Sequence, residues 1–188
     1  MLRLFIAIEL DAEVTDELAR CQVRLRERLP VSVAWVKRSS MHLTLQFLGE
    51  VEADRVDTIV ANLAQVVTPL PSFTLRLASL DAFPSLARPR ALWIGIQGQT
   101  PELMVLRQVV DGAMAALRFP SEGQFQPHLT LGRVRDNQPR SGATAVPPGA
   151  AGAIRPLPIQ VGAVSLMRTQ LTPGGSVYTR LSAFPLAP

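Results

Sequence analysis

The chain carries two histidines, and both open the tetrapeptide His-Leu-Thr-Leu, at 42–45 and 128–131. Residues two apart on a strand share a face. His42 therefore stands beside Thr44, with Leu43, Leu45 and Phe47 expected on the opposite face. In the second copy His128 stands beside Thr130, over Leu129 and Leu131. Imidazole titrates near 6.5, so one ring can be neutral while another is charged close to neutral pH. That is what a paired general base and general acid require. Threonine hydroxyls can donate to the non-bridging oxygens of a phosphate. The set suits in-line attack on phosphorus, with a proton removed on one side and delivered on the other. It needs no nucleophilic serine or cysteine.

A single histidine in an alternating strand is ordinarily a surface residue or a satisfied core residue. Two identical settings, in a chain with no other histidine, argue against that reading. Two histidines are also too few for a closed zinc site, and neither tetrapeptide holds Cys, Asp or Glu. No metal and no cofactor are expected.

The elements that must position these residues can be read from periodicity. Leu2–Ile8 reads as a strand. Asp11 caps a helix over Ala12–Arg28, with Val14, Leu18, Leu25 and Leu29 on one stripe. Val33–Val36 and Met41–Leu48 read as strands. A helix over Ala53–Val67 ends before Pro69 and Pro71. Phe73, Leu75 and Leu77 alternate as in a strand, and Ala91–Ile96 is an apolar strand. Pro101 opens a helix striped by Leu103, Leu106, Val110 and Leu117. His128–Val134 is a strand. Pro139–Pro158, rich in Pro, Gly and Ala, reads as a long flexible loop. Ile159–Met167 and Ser176–Ala183 read as a terminal hairpin around Pro173, Gly174 and Gly175.

Adjacent strands interleaved with helices predict an α+β fold with antiparallel pairing. The tetrapeptides lie 86 positions apart (42 to 128), which suggests a duplicated lobe. At 188 residues the chain is expected to form one domain of two such lobes, spanning 1–188. Its composition, 47% hydrophobic and 18% charged, excludes a disordered chain. No apolar run approaches the roughly 20 residues of a membrane helix. Cys21 is the single cysteine, so no internal disulfide can form, and a cytoplasmic monomer is expected. The net charge is +4, almost all of it arginine, with Lys37 the only lysine. Arginine's planar fork suits phosphate, although an arginine-rich chain can equally reflect genome composition.

The order of motifs then resembles a known family. Arg3-Leu4-Phe5-Ile6-Ala7-Ile8 comes first, followed by Trp35-Val36 and His42-Leu43-Thr44-Leu45-Gln46-Phe47-Leu48-Gly49. Phe83-Pro84, Pro89-Arg90-Ala91-Leu92-Trp93 and Pro127-His128-Leu129-Thr130-Leu131-Gly132-Arg133 continue the series, and Gly175-Ser176-Val177-Tyr178 closes it. The chain resembles the two-histidine (2H) phosphoesterase superfamily, and within it the RNA 2′,3′-cyclic phosphodiesterases, also called 2′-5′ RNA ligases.

The resemblance implies two lobes, with mostly antiparallel sheets around a central cleft and helices outside. It implies metal-independent hydrolysis of a terminal 2′,3′-cyclic phosphate of RNA to a 2′-phosphate, with 2′-5′ ligation as the reverse reaction in some members. It makes His42 the proton donor to the departing 3′ oxygen and His128 the proton acceptor from water. Thr44 and Thr130 would hold the phosphate oxygens, and Arg133 would bind the phosphate. Strict alternation from His128 puts Arg133 on the wrong face, unless a bulge or the strand end re-aims it. Phe5, Trp93 and Tyr178 are candidates by position for stacking the terminal base. The alternatives are a nucleotide- or RNA-binding module without turnover, and a 2H enzyme acting on another cyclic or 2′-5′ linked nucleotide.

Overall fold

The computed structural model describes residues 1–121, 123–135, 145–172 and 175–188. In chain order the elements are β1 (Leu2–Glu9), α1 (Ala12–Arg28), β2 (Val33–Trp35), β3 (His42–Val51), α2 (Val56–Val67), β4 (Phe73–Phe83), β5 (Ala91–Gly98), α3 (Thr100–Ala116), β6 (His128–Val134), β7 (Pro158–Val161), β8 (Ala163–Thr172) and β9 (Gly175–Pro185). Short 3₁₀ turns at Arg38–Ser40 and Ala53–Arg55 lead into β3 and α2. The bounds of α1 and β6 are those expected from the sequence. At the start of α1 the Asp11 carboxylate accepts from the Val14 amide at 2.8 Å, an N-cap that satisfies one otherwise orphaned donor.

The strands form two sheets, with β3-β1-β8-β9 in one and β2-β6-β5-β4-β7 in the other. Every pairing between these strands is antiparallel. The fold is thus α+β and two-lobed, with one motif strand in each sheet. One apolar core runs through both sheets and the three helices. It takes in Leu43 and Leu129, which are 0% and 1% exposed. Burying one such side chain is worth roughly 1.5–3 kcal/mol. The leucines after the two histidines therefore anchor the strands from which the histidines project.

Two expectations need correction. Ile159–Met167 is not one strand: Gly162 separates β7, on the edge of the five-stranded sheet, from β8 in the other sheet. The β8–β9 hairpin does form, but Pro173 and Gly174 at its tip lie outside the described residues. Of the loop read at 139–158, residues 139–144 also lie outside them. The part from 145 to 157 is irregular, as expected, yet it is not a free loop. Val146, Ala150 and Ala151 are buried. The Arg24 guanidinium donates to the Ala151 carbonyl, and Arg28 donates to Gly149 at 2.9 Å. Arg155 donates to the buried Glu17 at 3.0 Å. Burial alone would raise the Glu17 carboxyl. Hydrogen bonds from Arg155, Arg20 and Arg24 outweigh it and hold the group at about 2. Among the described residues, no helix is long and apolar enough to cross a membrane.

Candidate active site

Both motif strands break alternation at the same place. Along β3, Thr44 pairs with Ala7 and Gln46 with Ile6, so Leu45 is an extra residue. Along β6, Thr130 pairs with Trp93 and Gly132 with Leu92, so Leu131 is extra in the same way. A bulge of this kind shifts every later side chain to the other face. Leu45 and Gln46 are consecutively buried, and so are Leu131 and Gly132. Phe47 and Arg133 are thereby turned outward with the histidines. The expectation that Phe47 lies opposite His42 is overturned, since its ring is 69% exposed. Arg133, which strict alternation would put on the opposite face, comes to the motif face through this bulge.

The two histidines are held alike. The Nδ1–H of His42 donates to the Ser40 carbonyl at 2.8 Å, and that of His128 to the Gln126 carbonyl at 2.8 Å. In both cases the acceptor lies two residues before the ring. A carbonyl can only accept, so each partner fixes the proton on Nδ1 and leaves Nε2 for chemistry. The Nε2 of His42 is 3.0 Å from the Thr44 hydroxyl. Desolvation pushes His42 below the ordinary imidazole value, and the charge on His128 adds to that. The Ser40 carbonyl and Glu9 oppose it.

Aromatic rings wall each imidazole. Phe5 lies 4.8 Å from His42, and Tyr178 meets it edge-on at 5.1 Å. Phe83 meets His128 edge-on at 5.0 Å, with Trp93 at 5.7 Å. Phe5 and Trp93 were candidates for stacking a base, but they are only 1% and 5% exposed. Their faces are taken up against the histidines and the core. Tyr178 is half-buried and borders the cleft, while Phe47 offers the free ring.

The cleft has two adjoining parts. A cavity of about 110 Å³ is bordered by His42, Thr44, Thr130, Arg133, Phe47 and Tyr178, with Thr169 and others. A second, of about 240 Å³, is bordered by His128, Thr44, Phe47, Phe83 and Arg107. Thr44 and Phe47 border both, so the two imidazoles address one continuous cleft. The largest concavity, about 800 Å³, lies elsewhere, between β4 and residues 146–156. Among the described residues no titratable side chain lines it, so it offers nothing for proton transfer despite its size. Among the described residues, no group of three or more His, Cys, Asp or Glu side chains is arranged to hold a metal.

Sequence reading missed Phe47, Phe83 and Arg107. Arg107 did leave a signal. It falls four residues after Leu103 and three before Val110, on the apolar stripe of α3. A cation at such a position is buried for a reason.

The arrangement matches known proteins along most of the chain. A family described as LigT like Phosphoesterase matches twice in succession, over residues 8–93 and 94–178. An RNA 2′,3′-cyclic phosphodiesterase of Thermotoga maritima is 34% identical over 134 residues, 71% of each chain. One from Methanothermobacter thermautotrophicus is 29% identical over 188 residues, 98% of each. Among solved structures, TT0787 of Thermus thermophilus superposes with a TM-score of 0.81 at 28% identity, covering 98% of this chain and 97% of that one. E. coli LigT complexed with 3′-AMP superposes with a TM-score of 0.76 at 26% identity, covering 100% and 99%. With both halves matched and the fold shared end to end, the chain belongs to the LigT-like family of two-histidine phosphoesterases.

Proposed function

We propose that this protein hydrolyses the 2′,3′-cyclic phosphate at the end of an RNA to a 2′-phosphate, acting as one unit over residues 1–188. The observation that carries the reading is the matched pair of imidazoles. Each is locked through Nδ1 and presents Nε2 to one cleft, beside two threonines and an arginine.

His128 begins neutral and takes a proton from water as the water oxygen attacks phosphorus. The bond from phosphorus to the ribose 3′ oxygen breaks, and His42 delivers a proton to that oxygen. The Thr44 and Thr130 hydroxyls and the Arg133 fork donate to the non-bridging oxygens as charge grows on them. His42 must start protonated, whereas burial in the free protein favours its neutral form. The bound cyclic phosphate resolves this, because its negative charge next to Nε2 favours the imidazolium. No metal is needed for any of these steps. A 5′-hydroxyl in place of water would give a 2′-5′ linkage by the same proton transfers. Phe47 and Tyr178 are placed to contact the terminal nucleoside, whereas Phe5 and Trp93 support the histidines from behind.

The test is chromatographic identification of the products from a short RNA with a 2′,3′-cyclic end, in excess EDTA. A 2′-phosphate is expected. Mainly 3′-phosphate would mean the ribose sits the other way round. Binding without turnover would favour a non-catalytic module, and turnover confined to other cyclic or 2′-5′ linked nucleotides would favour a different 2H substrate.

A further inference from the structure

Arg107 has no part in the proton transfers above, yet it lines the half of the cleft that holds His128. It is 6% exposed, on the inward face of α3. Its guanidinium carbon lies 5.0 Å from the centre of the Phe125 ring. An oxygen of Asp111 is 2.8 Å from Nε, but it stands off the line of the N–H, and Nε is left without a hydrogen-bond partner. Among the described residues no acceptor is in place for the two terminal nitrogens either. A second buried polar atom in the same cavity wall, Gln46 Oε1, also lacks a partner, while its Nε2 donates to the Phe119 carbonyl.

Buried charged donors normally find acceptors, because an unpaired one bears its full desolvation penalty. Here one charge is neutralised by Asp111, yet Arg107 lines the cavity and no acceptor among the described residues takes its donors. A fork of this kind fits two oxygens of one phosphate group. Arg133 already serves the reacting phosphorus from the other side of Thr44, in the cavity that Arg107 does not border. A polynucleotide substrate brings a second phosphate, attached to the 5′ oxygen of the terminal nucleoside.

We propose that Arg107 binds that second group, the phosphate on the 5′ side of the terminal nucleotide, so that the enzyme selects RNA ends over free cyclic nucleosides. Phe125 lies against the guanidinium from one side, and Asp111 balances its charge from beside Nε. The inference rests on the phosphodiesterase reading above.

The experiment compares kcat/KM for adenosine 2′,3′-cyclic phosphate with that for the same compound bearing a 5′-phosphate. It uses the parent protein, Arg107→Gln and Arg107→Lys. The parent should favour the 5′-phosphorylated substrate by about tenfold or more. Arg107→Gln should bring that ratio close to one. Arg107→Lys should keep part of it, since a point charge remains without the fork. A ratio of rates is insensitive to how much of a variant is folded. If Arg107→Gln slows both substrates by the same factor, or if the parent shows no 5′-phosphate preference, the subsite is wrong. If the parent turns over neither compound nor a cyclic-ended RNA, the phosphodiesterase reading itself fails.

Discussion

Phe47 and Arg133 occupy equivalent places, each five residues after a motif histidine and each turned into the cleft by a bulge at the second leucine of His-Leu-Thr-Leu. The same backbone device thus delivers a free aromatic ring from one lobe and a guanidinium from the other. The duplication has diverged in chemistry at this position and kept its geometry.

The two side chains should separate by kinetic effect. Arg133→Met removes a charge-assisted donor from the phosphate, worth roughly 1.5–3 kcal/mol. A loss of about 10- to 100-fold in kcat/KM is expected, carried mainly by kcat. Phe47→Ala removes a stacking surface, worth roughly 1–3 kcal/mol per base. It should act mainly on KM. Steady-state kinetics on one cyclic nucleotide decides it, and the assignment is wrong if the two variants show the same split.

His42 and His128 are the only histidines, so a proton NMR titration yields two resolvable imidazole curves. In the free protein His42 should titrate below the ordinary value of about 6.5, chiefly through burial. His128→Ala should relieve part of the depression by removing a positive neighbour. Saturating inorganic phosphate should move His42 upward. The folded state favours the neutral ring, so the linked stability is present above the ordinary value and lost as pH falls through the lowered one. A His42 that titrates above the ordinary value in the free protein would contradict the burial argument.

The acid–base pair makes its own demand. His42→Ala and His128→Ala should each cost orders of magnitude in kcat, and each should remove one limb of the pH–rate profile. The limbs belong to the coupled pair rather than to either ring alone. The double variant should be little worse than the poorer single one, because residues acting as a unit are not additive. Near-full activity of either alanine variant at any pH would exclude the mechanism.

Thr44→Val and Thr130→Val keep the side-chain shape and remove a donor. Each should slow turnover by about 10- to 1000-fold, the scale for losing a preorganised donor to developing charge. Changes below about threefold in both, measured as kcat, would make the threonines structural.

Gly132, next to the bulge in β6, is closely packed against β2. A Cβ at Gly132 would lie 2.5 Å from Val33 Cγ1 and 3.1 Å from the Ala34 carbonyl oxygen. Gly132→Ala should therefore cost roughly 1–3 kcal/mol as overpacking. In a chain of this size that is about 2–4 °C in Tm per kcal/mol. Activity should fall as well, since Thr130 and Arg133 flank the position. Gly112, inside α3, has nothing within 4 Å of a built Cβ. Gly112→Ala should instead raise stability by about 0.5–1 kcal/mol. Melting curves of the two variants should move in opposite directions.

The sequence alone determined the parts whose causes are local. Asp11 and the stripe of Val14, Leu18 and Leu25 suffice for α1, because capping and helical spacing act within a few residues. His42–Thr44 and His128–Thr130 are likewise set side by side by strand geometry, as far as the bulges. What lay beyond them depended on partners distant in the chain. Leu45 and Leu131 become extra residues only because β1 and β5 pair with their neighbours, and that pairing re-aims Phe47 and Arg133. Phe5 and Trp93 carry no local mark of being walls; they are buried because histidines from other strands pack onto them. Arg107 could be seen on an apolar stripe, but only tertiary packing sets that buried charge in the wall of the His128 half of the cleft. The split follows from range: capping and periodicity are written within a turn or two of chain, whereas register, burial and the facing of two lobes are decided by contacts that close only when the whole chain folds.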